Sequence, residues 1–188
     1  MNDSIWNNFN EYGQKVTSDM EVDTLVIGGG LCGVLCAYYL KEAGKEVILV
    51  GLLKGSVPFM AELSKYIDIE VTYDYMKVSS YSGVESTNVV LKQDIEQDIE
   101  GKVVLIVEDI LDTGKTLSTV IKMLKERNPE TVEIVTLLDK KDGRVVPIEA
   151  KYVGFEIPNA FVVGYGLDYN ERFRNLPYVG IVKEEVYK

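Results

Sequence analysis

Short apolar runs rich in β-branched residues recur along the chain, separated by stretches whose apolar positions return every three or four residues. The runs at 24–27, 46–50, 70–78, 89–93, 103–107, 133–138, 152–155 and 161–163 read as strands. The segments at 31–43, 58–66 and 117–127 carry helical periodicity: Gly44 ends the first, and Pro58 falls in the first turn of the second, where proline is tolerated. Strands alternating with helices predict an α/β fold, a mostly parallel sheet flanked by helices, with ligands at the carboxyl ends of the strands. Residues 94–102 read as a connection and 79–88 as a long polar loop. The tail after Gly164 has no long amphipathic pattern and is expected to fold as a small C-terminal hood over the site. Residues 1–22 are polar with isolated aromatics (Trp6, Phe9, Tyr12) and read as a loose arm.

Composition narrows the function classes. A chain of 188 residues with 46% hydrophobic and 27% charged content suits one soluble enzyme domain. No apolar run approaches the roughly 18 residues of a membrane span, and the acidic, polar start is unlike a signal peptide, so a cytoplasmic protein is expected. The net charge of −10 argues against general nucleic-acid binding. An anionic small substrate stays open, because Lys54, Lys140, Arg144 and Arg174 can form a local cationic pocket. Histidine is absent, which excludes histidine triads, metal sites and proton shuttles. Cys32 and Cys36, one helical turn apart, make no zinc site by themselves and read as small buried thiols.

The most informative stretch is 107–117. An apolar strand delivers Glu108 and Asp109, then Asp112, and a Thr113-Gly114-Lys115-Thr116 turn opens a helix. Carboxylates at the end of a buried strand suit sugar hydroxyls or a hard cation such as magnesium. The turn gathers backbone N–H groups, two hydroxyls and a helix N-terminus around one point, which suits a phosphate. Together they describe a site for a phosphorylated sugar.

This run resembles the signature of the type I phosphoribosyltransferases, and the motifs at 153–158, 161–171 and 172–174 are similar to the hypoxanthine-guanine branch of that family. Upstream, Leu52-Leu53-Lys54-Gly55-Ser56 and Ser79-Ser80-Tyr81 fit two further loops of that branch, so the resemblance covers residues 45–188. It implies purine salvage: phosphoribosyl pyrophosphate and hypoxanthine or guanine give IMP or GMP plus pyrophosphate. By the same resemblance Glu108 and Asp109 hold the ribose hydroxyls, directly or through Mg2+, and Asp112 is the catalytic proton acceptor. Asp112, Thr113, Gly114, Lys115 and Thr116 cradle the 5-phosphate. Leu53, Lys54, Gly55 and Arg174 meet the pyrophosphate, in a loop for which the family uses a cis peptide. Lys140, Phe161, Val162 and Asp168 select the base, Asp168 also helps hold a second magnesium ion, and Ser80 and Tyr81 belong to a closing lid. A homodimer or homotetramer is implied, whereas nucleic acid and membrane are not expected as partners.

Residues 23–44 fall outside that resemblance. Gly28-x-Gly30-x-x-Gly33 follows a strand and opens a helix, and the segment resembles the opening βα unit of flavin-dependent oxidoreductases. The dinucleotide fingerprint also needs an acidic residue at the end of the next strand, but that strand ends Leu49-Val50-Gly51. Two readings stand: a dinucleotide site, or a grafted βα element that only packs on the sheet. Several alternatives to the leading function stay open: a xanthine-accepting enzyme, a catalytically impaired chimeric transferase, a nucleotide-sensing regulator and a dinucleotide-binding protein.

Overall fold

The computed structural model describes residues 24–25, 46–67, 69–82 and 87–187. The elements are β1 (Thr24–Leu25), β2 (Val47–Leu52), α1 (Ser56–Leu63), β3 (Val71–Ser82), β4 (Thr87–Gln93), β5 (Val103–Leu111), α2 (Lys115–Lys125), β6 (Thr131–Asp139), β7 (Tyr152–Glu156), β8 (Val162–Val163), β9 (Val179–Ile181) and α3 (Glu184–Tyr187). Six strands form the main sheet in the order β4-β3-β2-β5-β6-β7. All its pairings are parallel except β3 with β4. The expected α/β sheet is therefore present, and a second, three-stranded antiparallel sheet (β1-β9-β8) forms the hood.

The sheet is central because its middle strands are apolar on both faces, as parallel strands covered on both sides must be. Along β2, Val47 and Leu49 join one core cluster while Ile48, Val50 and Leu52 join the other. The first cluster takes Phe59, Met60 and Leu63 from α1 and Tyr165, Leu167 and Val179 from the hood. The second takes Leu117, Val120 and Leu124, the apolar stripe of α2. Fully burying each such side chain contributes about 1.5–3 kcal/mol. The connection 94–102 is pinned by buried Asp74, whose carboxylate accepts from the backbone N–H groups of Glu96 (2.7 Å) and Gln97 (2.8 Å).

Three expectations change. The signature strand continues through Leu111 rather than stopping at Val107, so Glu108 and Asp109 sit on the strand itself, held in register by the pairing of Glu108 with Thr136 and of Ile110 with Leu138. The polar stretch from Ser79 begins as strand, not loop: β3 pairs with β2 up to Met76 and then with β4 from Lys77 to Ser82. Its outer half thus projects past the end of β2 as a hairpin arm. The backbone ladder with β4 keeps this polar stretch extended. Finally, Thr24 and Leu25 pair with Gly180 and Val179 of the hood, not with the main sheet. The Gly28–Gly33 motif, the helix expected at 31–43, both cysteines and the arm at 1–22 lie outside the described residues.

Candidate active site

Parallel pairing brings the carboxyl ends of β2, β5 and β6 side by side, so the loops 53–55, 112–114 and 140–143 share one edge. Around the second loop, Glu108, Ile110, Leu111, Asp112, Thr113, Gly114, Thr116 and Leu117 line a hollow of about 100 Å³. The first turn of α2 faces it with no side-chain cap. Its orphan N–H groups and the positive end of the helix dipole suit an anion. Gly114 makes the turn possible: it sits at φ 78°, and a Cβ there would overlap Ile148 and Val146.

The acidic residues have distinct surroundings. Glu108 Oε2 is buried with no hydrogen-bond partner, and desolvation, reinforced by neighbouring Asp109, pushes its pKa well above the usual carboxylate range. Burial raises Asp109 to about 6, although its Oδ1 accepts from the Ile110 N–H at 2.8 Å. Asp109 also packs on Gly55, whose missing side chain leaves room for the carboxylate. An acid whose pKa is raised on folding destabilises the fold as pH climbs through the interval between its unfolded and folded values. For Asp109 that interval runs from about 4 to about 6. Ligand-free protein is therefore expected to melt at a higher temperature near pH 4.5 than near pH 6.5, by less in Asp109→Asn. Identical pH slopes in the two proteins would contradict the assignment.

Asp112 is half-buried and bonds Lys140 Nζ at 2.8 Å, an ammonium whose side chain is only 9% exposed. Loop 140–146 is laced to the signature turn: Lys140 N–H donates to Leu111 O (3.0 Å), and Val145 N–H to Thr113 O (3.1 Å). Arg144 is the hub. Its Nε donates to Asp112 O at 2.8 Å, and its terminal nitrogens reach Leu111 O, Ile148 O and the carboxylate of buried Asp139. Gly143 lies against Asp112, where a Cβ would overlap Oδ1.

The two glycines should respond differently. Gly114→Ala imposes left-handed backbone strain and a clash with packed side chains, and is expected to destabilise by about 1–3 kcal/mol. Gly143→Ala meets only the mobile end of Asp112, so it should spare the melting temperature while lowering kcat. Equal losses of melting temperature in thermal unfolding of both variants would refute the distinction.

On the β2 side, the Leu53–Lys54 peptide is cis, as the family resemblance leads one to expect. Lys54 Nζ binds Glu171 Oε2 at 2.8 Å, and Arg174 reaches Asp168 at 2.8 Å and Gly166 O at 2.7 Å. Gly166, at φ 102°, lies so close to Gly55 that a Cβ would strike Gly55 O, which locks the hood turn to the β2 loop. Phe161 stands edge-on to Tyr169 with centroids 5.7 Å apart, and its carbonyl accepts from Val182 N–H at the head of the hood. Val162 pairs with Ile181. Ser80 and Tyr81 lie on the projecting hairpin opposite Val89 and Asn88, their side chains outside the described residues.

The structure thus brings Glu108, Asp109, Asp112, the 113–116 turn and Lys140 to one edge, and Lys54, Asp168 and Arg174 to an adjoining cluster. Sequence reasoning missed Gly143, Asp139 and Glu171. A glycine three residues after a candidate lysine was the available signal for the first; Glu171 closes the 161–171 motif, which gave it no role, and nothing local marks Asp139. Among the described residues no group of three or more carboxylates converges as a ready-made metal cage. No helix of the described residues is long and apolar enough to cross a membrane.

The family profile "Phosphoribosyl transferase domain" matches residues 32–170. The hypoxanthine-guanine phosphoribosyltransferase of Streptococcus pneumoniae strain R6 is 62% identical over 147 residues, covering 77% of this chain and 82% of that protein. The Streptococcus thermophilus (strain CNRZ 1066) protein of the same name is 54% identical over 147 residues, with the same coverage of 77% and 82%. A crystal structure of a hypoxanthine phosphoribosyltransferase from Staphylococcus aureus superposes with TM-score 0.78 at 48% identity, covering 84% of this chain and 88% of that one. A Bacillus anthracis hypoxanthine-guanine phosphoribosyltransferase structure gives 0.79 at 39% identity, covering 86% and 99%. The likeness of residues 23–44 to a flavoenzyme opening gains no support from these relatives.

Proposed function

Given that this chain belongs to the phosphoribosyltransferase family, in its hypoxanthine-guanine branch, we propose that it transfers the 5-phosphoribosyl group of phosphoribosyl pyrophosphate to hypoxanthine or guanine. The products are IMP or GMP and pyrophosphate, which makes the protein a pentosyl-transferring enzyme of purine salvage. One observation carries the reading beyond kinship: a carboxylate, Asp112, and an ammonium, Lys140, lie 2.8 Å apart beside an anion hollow. A 6-oxopurine offers a ring N–H beside a C=O, the complementary donor and acceptor. On binding, the base takes over both partners.

Bond breaking at the anomeric carbon releases pyrophosphate and leaves positive charge on the sugar, while a ring nitrogen of the base forms the new bond. Glu108 and Asp109 place negative potential and hydroxyl acceptors on the ribose side. Asp112 accepts the imidazole-ring proton, and Lys140 donates to the six-position oxygen. Adenine would set its amino donor against the Lys140 donor, leaving a buried ammonium unpaired. Phe161 stacks on the ring and main-chain groups at Val162 and Asp168 meet its two-position edge. Residues 113–116 hold the 5-phosphate. Leu53, Lys54, Gly55 and Arg174 hold the pyrophosphate, and the β3–β4 hairpin with Ser80 and Tyr81 shields the reacting sugar from water.

Magnesium fits the donor set. The unpartnered buried oxygen of Glu108 with the Asp109 carboxylate would serve one ion and Asp168 a second, hard ligands too few for a cage but suited to sharing each ion with substrate oxygens. When bound, the ion would neutralise charge on the departing pyrophosphate. Residues 45–188 form the catalytic domain with most of its hood, in a cytoplasmic homodimer or homotetramer.

The test is direct. Purified protein is incubated with phosphoribosyl pyrophosphate, magnesium and each purine, and nucleotides are resolved by chromatography. IMP and GMP are expected with little AMP; AMP as the main product, or none of the three, would overturn the reading.

A further inference from the structure

The cations assigned to the pyrophosphate are already occupied by a carboxylate of the chain itself. Lys54 follows β2 and Arg174 lies in the hood, yet both point at one oxygen of Glu171: Lys54 Nζ at 2.8 Å and Arg174 at 3.4 Å. The turn that aims Glu171 is specifically built. Asn170 and Glu171 take the left-handed backbone conformation at φ 52° and 63°, Tyr169 and Arg172 form an antiparallel bridge, and Asp168 Oδ2 accepts the Glu171 N–H at 2.9 Å. Glutamate rarely adopts positive φ without local support. Here the bridge and the Asp168 bond supply it, so the side chain is directed toward Lys54 although 65% of it is exposed.

Resting on the transferase reading above, we propose that Glu171 is an internal stand-in for pyrophosphate, a resident counter-ion that the leaving-group end of the substrate displaces and that returns as pyrophosphate departs. Three features favour displacement over a fixed structural pair. Glu171 is exposed, so leaving Lys54 loses little packing. Its bond to Arg174 is long, whereas Arg174 is independently anchored by Asp168 and Gly166 O. Arg174 Nε is buried with no partner, a donor that the single Glu171 oxygen leaves unmet and a polyanion can satisfy. A resident carboxylate keeps Lys54 and Arg174 pointed at one place, and it weakens the hold on pyrophosphate because the product must compete with it. Such competition limits product inhibition in a site that must bind phosphoribosyl pyrophosphate and then release a highly charged fragment.

The experiment compares wild-type protein with Glu171→Gln. Magnesium pyrophosphate is titrated by calorimetry and as an inhibitor of IMP synthesis, and IMP binding serves as the internal control. Removing competition from two exposed ion pairs is expected to tighten pyrophosphate about three- to tenfold and to lower the KM for phosphoribosyl pyrophosphate, while IMP affinity holds. A purely structural residue would not produce that split. In a Lys54→Met background the gain from Glu171→Gln should shrink by more than half, since the cation it frees is gone. Unchanged or weaker pyrophosphate binding in Glu171→Gln, or parallel shifts in pyrophosphate and IMP, would overturn the proposal. Failure of wild-type protein to form IMP at all would instead overturn the transferase reading, so the two are told apart.

Discussion

Asp112→Asn is expected to lower kcat by about 10²–10⁴-fold, the usual contribution of a positioned proton acceptor. Binding of phosphoribosyl pyrophosphate should change little, because the amides at the start of α2 and the side chains of Thr113 and Thr116 remain in place. Asparagine keeps the shape of aspartate and an oxygen that accepts from Lys140, whose ammonium lies 2.8 Å away in the native site. The fold should therefore survive, and the loss isolates basicity. Steady-state kinetics with hypoxanthine, paired with equilibrium binding of phosphoribosyl pyrophosphate, decide it. Lost binding with normal turnover would contradict the proton role.

Arg144→Ala should unfold the site rather than tune it. The guanidinium joins four acceptors from three segments: Leu111 O and Asp112 O at the end of the signature strand, Asp139 at the end of β6, and Ile148 O in the following loop. Truncation leaves the Asp139 carboxylate, 4% exposed, without its cation, a class of change that costs about 3–5 kcal/mol. Arg144→Lys is expected to rescue little, because one ammonium cannot reproduce a planar fork serving acceptors in several directions. Denaturant unfolding measures the first effect. Wild-type stability in either variant would mean that the 140–150 loop is held by its backbone bonds alone. Turnover should fall with stability, since the same guanidinium fixes the main chain that presents Asp112.

How far the sequence could be read depended on the range of each interaction. The strand and turn at 103–117 were legible because every part of the signal, from the apolar run through the carboxylates to the glycine and the helix period, lies within a few residues. Even there the strand end was placed too early, since Glu108 to Leu111 are polar or mixed and only pairing with β6 keeps them extended. The arm after Ser79 read as loop for a similar reason: its ladder exists only against β4. The resemblance supplied Lys140 and Arg174 as candidates. It did not indicate that one bonds Asp112 or that the other shares a carboxylate with Lys54.

By itself the sequence determined which runs form the strands of a mostly parallel sheet, where the phosphate-suited turn falls, and that histidine chemistry is excluded. These follow from local geometry, because burial, periodicity and turn conformation are set by neighbours along the chain. Tertiary structure alone decided the couplings: Lys140 to Asp112 across 28 positions, Arg144 to Asp112 across 32, and Lys54 to Glu171 across 117. Charges separated by such distances meet only when sheet order and loop closure bring them together, and no pattern of adjacent residues encodes which cation will face which carboxylate.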